Sequence, residues 1–283
     1  MNLHRSRFRI RAAVAATIAG VLLLAGCSSG SGDSKSDAQS GKGKPLVVAM
    51  ELAYPPFETK DQAGNPEGIA PDFMRAFAKA YGYDLKIENT SFDGLIPMLQ
   101  TGKADAVMSS MTITEGRKQS VDFSDPYARA QLAILANRDS GIASIDDLNQ
   151  PGKVVAVKTG STGDVYATKN LTEAQVVRLA DESAAVTEVV QGKADGFLYD
   201  QLTIYRNQAR NPDVTEAVFI PFQDPEYWGI AVETGNQELL DQLNAFIAQY
   251  RADGGFDRLT EEHLADEHQA FKDLGFTWFF DLD

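Results

Sequence analysis

The chain has 283 residues, of which 23% are charged and 43% are hydrophobic, and its formal net charge at pH 7 is -14. This acidic balance argues against a nucleic-acid partner and against broad electrostatic adhesion to anionic lipids. The single cysteine excludes a disulfide within one chain. Ordinary aromatic and apolar content indicates a globular protein, and the length that remains after the amino-terminal segments fits two moderate domains.

The amino-terminal segment has the pattern of a secretory signal. Four arginines lie between positions 5 and 11, and an apolar stretch follows at 12–24. This stretch is too short for a membrane-spanning helix, which needs about 20 apolar residues. The sequence Leu-Ala-Gly-Cys at 24–27 resembles the lipobox of bacterial lipoproteins. We therefore expect a signal peptide at 1–26 and a lipid on Cys27; the alternative is an unmodified cysteine behind a simple signal peptide.

A polar linker follows the signal. Residues 28–45 contain no apolar residue apart from one alanine, so they cannot bury enough surface to fold. We expect residues 27–45 to form a flexible tether that reaches roughly 20 to 25 Å from the membrane. Removal of the signal arginines also makes the mature chain more acidic than the full sequence.

The first strand and helix of the folded part are predicted next. Residues 46–50 form an apolar run that predicts a strand. Glu51 follows it, and a double-proline loop then holds Tyr54 on a stiff turn. Apolar residues at helical spacing predict a helix over 71–81, and alternation at 85–87 predicts a second strand.

The segment from Phe92 to Tyr127 is the most informative part of the sequence. Its first residues supply the apolar face of a helix, and an apolar strand is predicted over 105–108. Polar residues follow this strand directly: Ser109, Ser110, Thr112 and Arg117. Ligands of open α/β sheets bind at the carboxyl ends of strands, and a guanidinium among hydroxyl groups suits a carboxylate. The segment therefore predicts a binding site for an acidic group.

A second copy of this unit lies downstream. Residues 189–205 repeat the plan of residues 98–114: a helix end, Gly-Lys-Ala-Asp, an apolar strand and then polar residues. The repeat favours two α/β lobes that face each other. The alternative is that Gly-Lys-Ala-Asp is only a good turn between a helix and a strand.

The rest of the chain predicts a second α/β unit, after which the chain returns to the first unit. After an extended stretch at 130–136, the predicted order is strand 154–158, helix near Val165, strand 175–179, helix 183–191 and strand 196–199. A strand over 227–232 and a helix capped by Asn236 follow. His263 and His268 are five residues apart in a predicted charged helix and diverge by about 140° around it, so we expect them to be solvated rather than to form a metal site. The aromatic carboxyl-terminal tail is expected to pack on a lobe.

Several motifs occur together and in a familiar order. YPPFE, FDGLIP, MTIT with a following arginine, VDFSDPY, and the late GIAV and RADGG resemble the amino-acid-binding proteins of ABC importers, solute-binding family 3. The resemblance runs from about Leu46 to Ala265. It implies an α/β, two-lobed periplasmic-binding-protein-like fold of type II, with a ligand cleft between lobes that close. The implied first lobe comprises residues 46–130 and 228–283, and the second comprises residues 131–227.

The resemblance also assigns the two charged groups of an amino-acid ligand. Arg117 and the backbone amide of Thr112 are expected to hold the α-carboxylate from the first lobe. Ser161 and Thr162 are expected to contact it from the second lobe, where a loop meets a helix start and favours an anion. Asp200 is expected to hold the α-ammonium; as an alternative or in addition, it caps the helix that follows it.

The remaining candidate residues surround the ligand's side chain. By the resemblance, Tyr54 and Phe92 sandwich its aliphatic part, and Ser109 and Ser110 supply carbonyl or hydroxyl partners. Glu51 and Lys158 lie at family positions that face the ligand side chain, as in glutamine binders. If both line the cleft, a polar side chain can satisfy each of them; the alternative is that they pair with one another.

The implied partners are an amino acid, an ABC permease with its separate ATPase subunit, and the membrane through a lipid anchor. The expected location is the outer face of the bacterial cytoplasmic membrane, the expected state is a monomer, and neither a cofactor nor a metal is implied. The main alternative is an enzyme on the same fold, similar to cyclohexadienyl dehydratase, with Glu51 as its general acid. A component that presents ligand to a sensor is a further alternative.

Overall fold

The computed structural model describes residues 43–282, which form a mixed α/β structure with two five-stranded sheets. The strands of this part are β1 Lys44–Met50, β2 Thr59–Lys60, β3 Pro66–Glu67, β4 Tyr83–Asn89, β5 Ala106–Val107, β6 Asp122–Phe123, β7 Ala128–Ala130, β8 Leu132–Asn137, β9 Val154–Lys158, β10 Gln175–Leu179, β11 Gly196–Asp200, β12 Thr215–Val218, β13 Glu226–Trp228 and β14 Ala231–Val232. Its α-helices are α1 Ile69–Tyr81, α2 Leu95–Gln100, α3 Glu115–Lys118, α4 Ile145–Leu148, α5 Thr162–Asn170, α6 Glu182–Val190, α7 Gln201–Arg210, α8 Gln237–Ala252, α9 Gly255–His263 and α10 Ala265–Asp273.

The first sheet has the strand order β4-β1-β5-β14-β6, and we call this sheet with α1, α2 and α8 to α10 the first lobe. Strand β1 pairs in parallel with β4 and β5, whereas β14 pairs antiparallel with β5 and β6. Residues 48–50 of β1 are fully buried because the strand is central and helices pack over it. The carboxyl ends of β1 and β5 therefore open at one edge of the sheet.

The second sheet has the strand order β10-β9-β11-β8-β12, and we call this sheet with α4 to α7 the second lobe. Strands β10, β9 and β11 are parallel, and β8 and β12 run antiparallel to their neighbours. Separate apolar clusters lie about Leu198 and about Phe197, which are neighbours on β11 that point to opposite faces of the sheet. Apolar side chains thus cover both faces of the second sheet.

Two short strands carry the chain between the lobes. Strand β7 leads from β6 to β8, and β13 leads from β12 back to β14; they pair antiparallel with Glu226 opposite Ala130. The predicted strand over 227–232 is wrong as a single element, because β13 ends at Trp228 and β14 begins at Ala231. Gly229 lies at the break, where a Cβ atom would come within 2.8 Å of the Ile113 side chain.

The carboxyl-terminal part packs on the first lobe, as the sequence predicted for the aromatic tail. Trp278 and Phe279 join its apolar core. The two histidines do not share one solvated helix: Leu264 separates α9 from α10, His263 Nε2 lies 2.9 Å from Asp72 Oδ2, and the His268 ring packs on Trp278. The expected single helix is therefore wrong, whereas His268 is exposed as expected and His263 is partly exposed. Among residues 43–282 there is no helix with the length and apolar character required to span a membrane.

Candidate functional site

A cavity lies between the lobes, where the carboxyl ends of β1, β5, β9 and β11 face one another. All of the ligand-binding residues predicted from the sequence line it: Glu51, Tyr54, Phe92, Ser109, Ser110, Thr112, Arg117, Lys158, Ser161, Thr162 and Asp200. Its volume of about 40 Å³ has room for a few water molecules and is too small for an amino acid. The lobes or the lining side chains must therefore move before a ligand of that size enters.

Arg117 lies at one end of the cavity and contacts both lobes. Its Nη1 donates to the carbonyl oxygen of Thr112 at 2.6 Å, and its Nη2 donates to the carbonyl oxygen of Gly160 at 3.0 Å. The Arg117 backbone is fixed because its amide donates to Oγ1 of Thr114, the residue that caps α3. Burial lowers the pKa of Arg117 to about 10, against the opposing effect of the Glu226 carboxylate. The guanidinium is therefore charged at neutral pH.

The start of α5 forms the opposite wall at this end. Ser161 caps the helix, since its Oγ accepts from the amide of Asp164. Thr162 follows as the first helical residue, and its Oγ1 donates to Glu226 Oε2 at 2.7 Å. Gly160 has a φ of 75°, which is left-handed and suits glycine. The cap and the turn together aim the Thr162 hydroxyl into the cavity.

Two serines at the end of β5 form the floor with Glu58. Ser109 Oγ and Ser110 Oγ donate to the two Glu58 carboxylate oxygens at 3.3 and 3.1 Å. Ser110 has a φ of 47°, a left-handed conformation that is rare outside glycine and that clusters at functional sites. Burial raises the pKa of Glu58 well above its usual range, against the hydrogen bonds from the serines. Glu58 was not predicted as a site residue, although it is the second residue after the double proline.

Asp200 is the last residue of β11, caps α7 and lines the cavity. Its Oδ1 accepts from the amides of Leu202 and Thr203, at 2.9 and 3.1 Å, and so caps α7. The other oxygen, Oδ2, is buried and makes no hydrogen bond of normal geometry within the described residues, and the same holds for Tyr54 Oη. Burial raises the pKa of Asp200, but the two side chains nevertheless lie close enough for Tyr54 to lower that pKa against the effect of burial. The helix-cap role and an ammonium-binding role are compatible, because each uses a different oxygen.

Glu51 and Lys158 line the other end of the cavity and form a buried charge cluster with Glu182, which does not line it. Lys158 Nζ donates to Glu51 Oε2 and lies 3.3 Å from Glu182 Oε2. Glu51 and Lys158 thus pair with one another, which is the alternative that the sequence left open. Burial alone would lower the pKa of Lys158, but Glu182 and Glu51 outweigh it and raise that pKa. Burial raises the pKa of Glu182 to about 7, although Lys158 opposes the shift.

The raised pKa of Glu182 predicts that stability falls as pH rises. The folded-state pKa of about 7 exceeds the usual 4.5, so protonation favours the folded state. This stabilising contribution is complete below the unfolded-state pKa and is lost as pH rises through about 7. We expect the Tm to decrease from acidic to mildly alkaline pH, with a smaller decrease in Glu182→Gln. Thermal unfolding of both proteins across this pH range is the test; identical slopes would contradict the prediction.

Glu226 is the main site residue that sequence reasoning missed. Its Oε2 accepts from Thr112 Oγ1 at 2.9 Å as well as from Thr162 Oγ1, and its Oε1 accepts from Gln223 Nε2 at 2.8 Å. Burial raises the pKa of Glu226 against these hydrogen bonds. The sequence feature that could have indicated Glu226 is its position, as a polar residue at the start of a strand that crosses between the lobes. Tyr199 and Trp228 also line the cavity and were not predicted.

One group outside the cavity has atoms suited to a metal ion. Ligand atoms of Asp72, Glu262 and His263 lie within 4.8 Å of one another. Asp72 is already bonded to His263 and to Arg75. Because Asp72 and His263 are paired with each other, we assign no metal to this group.

Comparison with known proteins identifies relatives of this chain. The probable histidine-binding protein of Neisseria gonorrhoeae is 34% identical over 256 residues, which is 89% of this chain and 95% of that protein. The L-arginine-binding protein of Pseudomonas aeruginosa is 33% identical over 232 residues, covering 78% of this chain and 88% of that protein.

A solved structure supports the same architecture. The ancestral amino acid-binding protein AncCDT-1, a precursor of cyclohexadienyl dehydratase, superposes with a TM-score of 0.70 at 38% identity, covering 77% of this chain and 94% of that one. The fold is therefore the two-lobed α/β fold of periplasmic binding proteins. The family model for bacterial extracellular solute-binding proteins, family 3, matches residues 46–266. The chain belongs to family 3 of the bacterial extracellular solute-binding proteins.

Proposed function

We propose that this protein is the extracytoplasmic substrate-binding lipoprotein of an ABC transporter. It binds a polar L-amino acid between its two lobes and delivers it to a membrane permease, which a separate ATPase subunit drives. The observation that carries this proposal is the arrangement of charge in the cavity. A guanidinium lies at one end, and an unpartnered carboxylate oxygen of Asp200 is buried in the same cavity.

The two charged groups of an α-amino acid fit these positions. Arg117, with the Thr112 and Thr162 hydroxyls beside it, suits the α-carboxylate, because a guanidinium and short donors stabilise an anion in a partly desolvated site. Asp200 Oδ2 suits the α-ammonium, which would supply the hydrogen bond that this buried oxygen lacks. Tyr54 and Phe92 line the space between them and suit the aliphatic part of the ligand.

The charge cluster at the other end sets the selectivity for the ligand's side chain. Glu51 and Glu182 carry two carboxylates against the single ammonium of Lys158. When both carboxylates are ionised, this end is negative and repels an acidic side chain. We therefore propose a polar side chain that is neutral or cationic. The names of the relatives, which bind histidine and arginine, are consistent with this choice.

A panel of the common L-amino acids tests the proposal. We expect at least one polar, non-acidic amino acid to raise the Tm and to bind in calorimetry, with aspartate and glutamate among the weakest. The D-enantiomer of the best ligand is the control, because it cannot place its carboxylate, ammonium and side chain on the same partners. Tightest binding of an acidic amino acid would contradict the selectivity. No response to any amino acid would contradict the function.

Binding is proposed to close the lobes, with residues 46–130 and 228–283 moving against residues 131–227. Thr112 and Arg117 contact a ligand from the first lobe, whereas Thr162 and Asp200 contact it from the second, so full contact requires both lobes. A smaller radius of gyration in solution scattering at saturating ligand is expected. Unchanged dimensions would contradict closure without contradicting binding.

The lipid anchor is proposed from the sequence alone, since Cys27 lies outside the described residues. Two or more acyl chains are sufficient for stable attachment to a membrane. We expect the wild type to incorporate labelled palmitate and to fractionate with membranes, and Cys27→Ser to incorporate no label. An unlabelled wild type would contradict the anchor and leave the binding function unaffected.

An enzyme is the second candidate, because AncCDT-1 is described as a precursor of cyclohexadienyl dehydratase. The sequence offered Glu51 as a general acid, but Glu51 is held by Lys158 in the charge cluster. Burial raises the pKa of Glu51 although Lys158 opposes the shift, but the carboxyl group is already bonded to Lys158 rather than free to reach a leaving hydroxyl. Recovery of the bound ligand unchanged after long incubation supports the binding protein, whereas steady conversion to a product supports the enzyme.

A further inference from the structure

The Glu226 side chain occupies the end of the cavity that is proposed to receive the ligand's carboxylate. Its Oε2 accepts hydrogen bonds from Thr112 and Thr162, at 2.9 and 2.7 Å. Arg117 lies close enough for its charge to affect the pKa of Glu226. These three residues are the proposed carboxylate receptor. A glutamate carboxylate is chemically the same group as the α-carboxylate of an amino acid, so the chain supplies its own substitute for that part of the ligand.

The same contact joins the two lobes. Thr112 follows β5 of the first lobe, Thr162 begins α5 of the second lobe, and Glu226 starts the crossing strand β13. One carboxylate oxygen therefore accepts from a hydroxyl of each lobe. These hydrogen bonds hold the lobes together over a cavity of about 40 Å³, which is too small for an amino acid.

A ligand carboxylate and the Glu226 carboxylate cannot share these donors. Each threonine hydroxyl has one proton to donate, and both are already directed at Glu226 Oε2. Two carboxylates beside one guanidinium also repel each other. Glu226 must therefore turn away before the ligand carboxylate reaches Thr112 and Thr162. The affinity of the protein is then reduced by the fraction of molecules in which Glu226 occupies the receptor.

We propose that Glu226 is an internal competitor for the ligand: it occupies the carboxylate receptor in a fraction of the empty molecules, holds the lobes together in that fraction, and so lowers the affinity for amino acids. The inference rests on the proposed function, because it assigns a role at the same cavity. It adds a residue that limits affinity and that keeps part of the empty population closed, while ligand is still expected to close the remainder.

Two variants test this inference. Glu226→Gln keeps the shape of the side chain and removes its charge, and Glu226→Ala removes the group entirely. Glu233→Gln is the matched control, since Glu233 is exposed and does not line the cavity. We expect the best amino acid to bind about tenfold more tightly to Glu226→Ala than to the wild type, because the competing charged hydrogen bonds are lost. The affinity of Glu226→Gln should lie between those of the wild type and Glu226→Ala, and the affinity of Glu233→Gln should equal that of the wild type.

Solution scattering without ligand gives a second readout. Glu226→Ala is expected to have a larger radius of gyration than the wild type when empty and the same radius when saturated. Weaker binding by both Glu226 variants would overturn the inference, because Glu226 would then contact the ligand. Unchanged binding by both would also overturn it, because Glu226 would then have no effect on affinity. If the wild type binds no amino acid, the proposed function fails, and the ligand-free scattering still decides whether Glu226 holds the lobes together.

Discussion

Replacing Arg117 with alanine is expected to weaken amino-acid binding by about 2 to 5 kcal/mol, because the ligand carboxylate would lie unpaired in a partly desolvated cavity. The fold should survive, since Arg117 lies on the short helix α3 and the hydrogen bonds of its guanidinium go to backbone carbonyls, while its side chain lies over the Phe92 ring. Calorimetry with the best amino acid gives the affinity, and thermal unfolding gives the stability.

Lys118→Ala is the matched control for this prediction. Lys118 is the next residue of α3, is exposed, and pairs with Glu115 at 2.9 Å on the surface. Its loss removes the same charge from the same helix outside the cavity, so binding should be unchanged. Equal affinity of Arg117→Ala and the wild type would remove Arg117 from the binding site.

The Lys158→Met variant is expected to lose about 3 to 5 kcal/mol of unfolding free energy, because it leaves two buried carboxylates without their common partner. The Lys158 side chain is 1% exposed and contacts both Glu51 and Glu182. Methionine retains most of the apolar stem, so lost packing contributes little. Urea unfolding at neutral pH measures the effect.

Lys193→Met is the control for that measurement. Its side chain is 60% exposed and lies 3.7 Å from Glu188, and an exposed pair of this kind contributes at most about 1 kcal/mol. The loss in Lys158→Met should also shrink as pH falls, since protonation removes the unpaired charge from Glu51 and Glu182. If Lys158→Met loses little unfolding free energy at neutral pH, the Lys158 ammonium does not stabilise the two carboxylates and the prediction is wrong.

Local patterns were sufficient to predict many elements of the fold. Strands β9 and β10 have the predicted bounds, 154–158 and 175–179, because short β-branched runs between turn residues specify a strand without tertiary information. The break between β13 and β14 was not predicted, since residues 227–232 are apolar throughout. There the chain changes its pairing partner from β7 to β5 and β6, and sheet pairing is not a local property.

Some residues of the site could likewise be predicted from the sequence, and others could not. Thr112 and Arg117 were predicted because they follow a strand whose carboxyl end lies at an edge of the sheet, whereas Asp200, the last residue of β11, was assigned by the family resemblance. Glu182 and Glu226 were not found, because each depends on a residue far along the chain: Lys158 for Glu182 and Thr112 for Glu226. The Glu51 and Lys158 pair was left open for a related reason. Which buried charges pair depends on how the two lobes meet.

Asp200 has a consequence for how this site can change during evolution. One of its oxygens caps α7 while the other is buried in the cavity without a hydrogen bond of normal geometry, so the helix cap and the proposed recognition of the ammonium group use the same side chain. A mutation to alanine would remove a helix cap worth about 1 kcal/mol together with any ammonium contact. Asparagine also caps helices but carries no charge. It is the replacement we expect in a descendant that has turned to a ligand without an ammonium group.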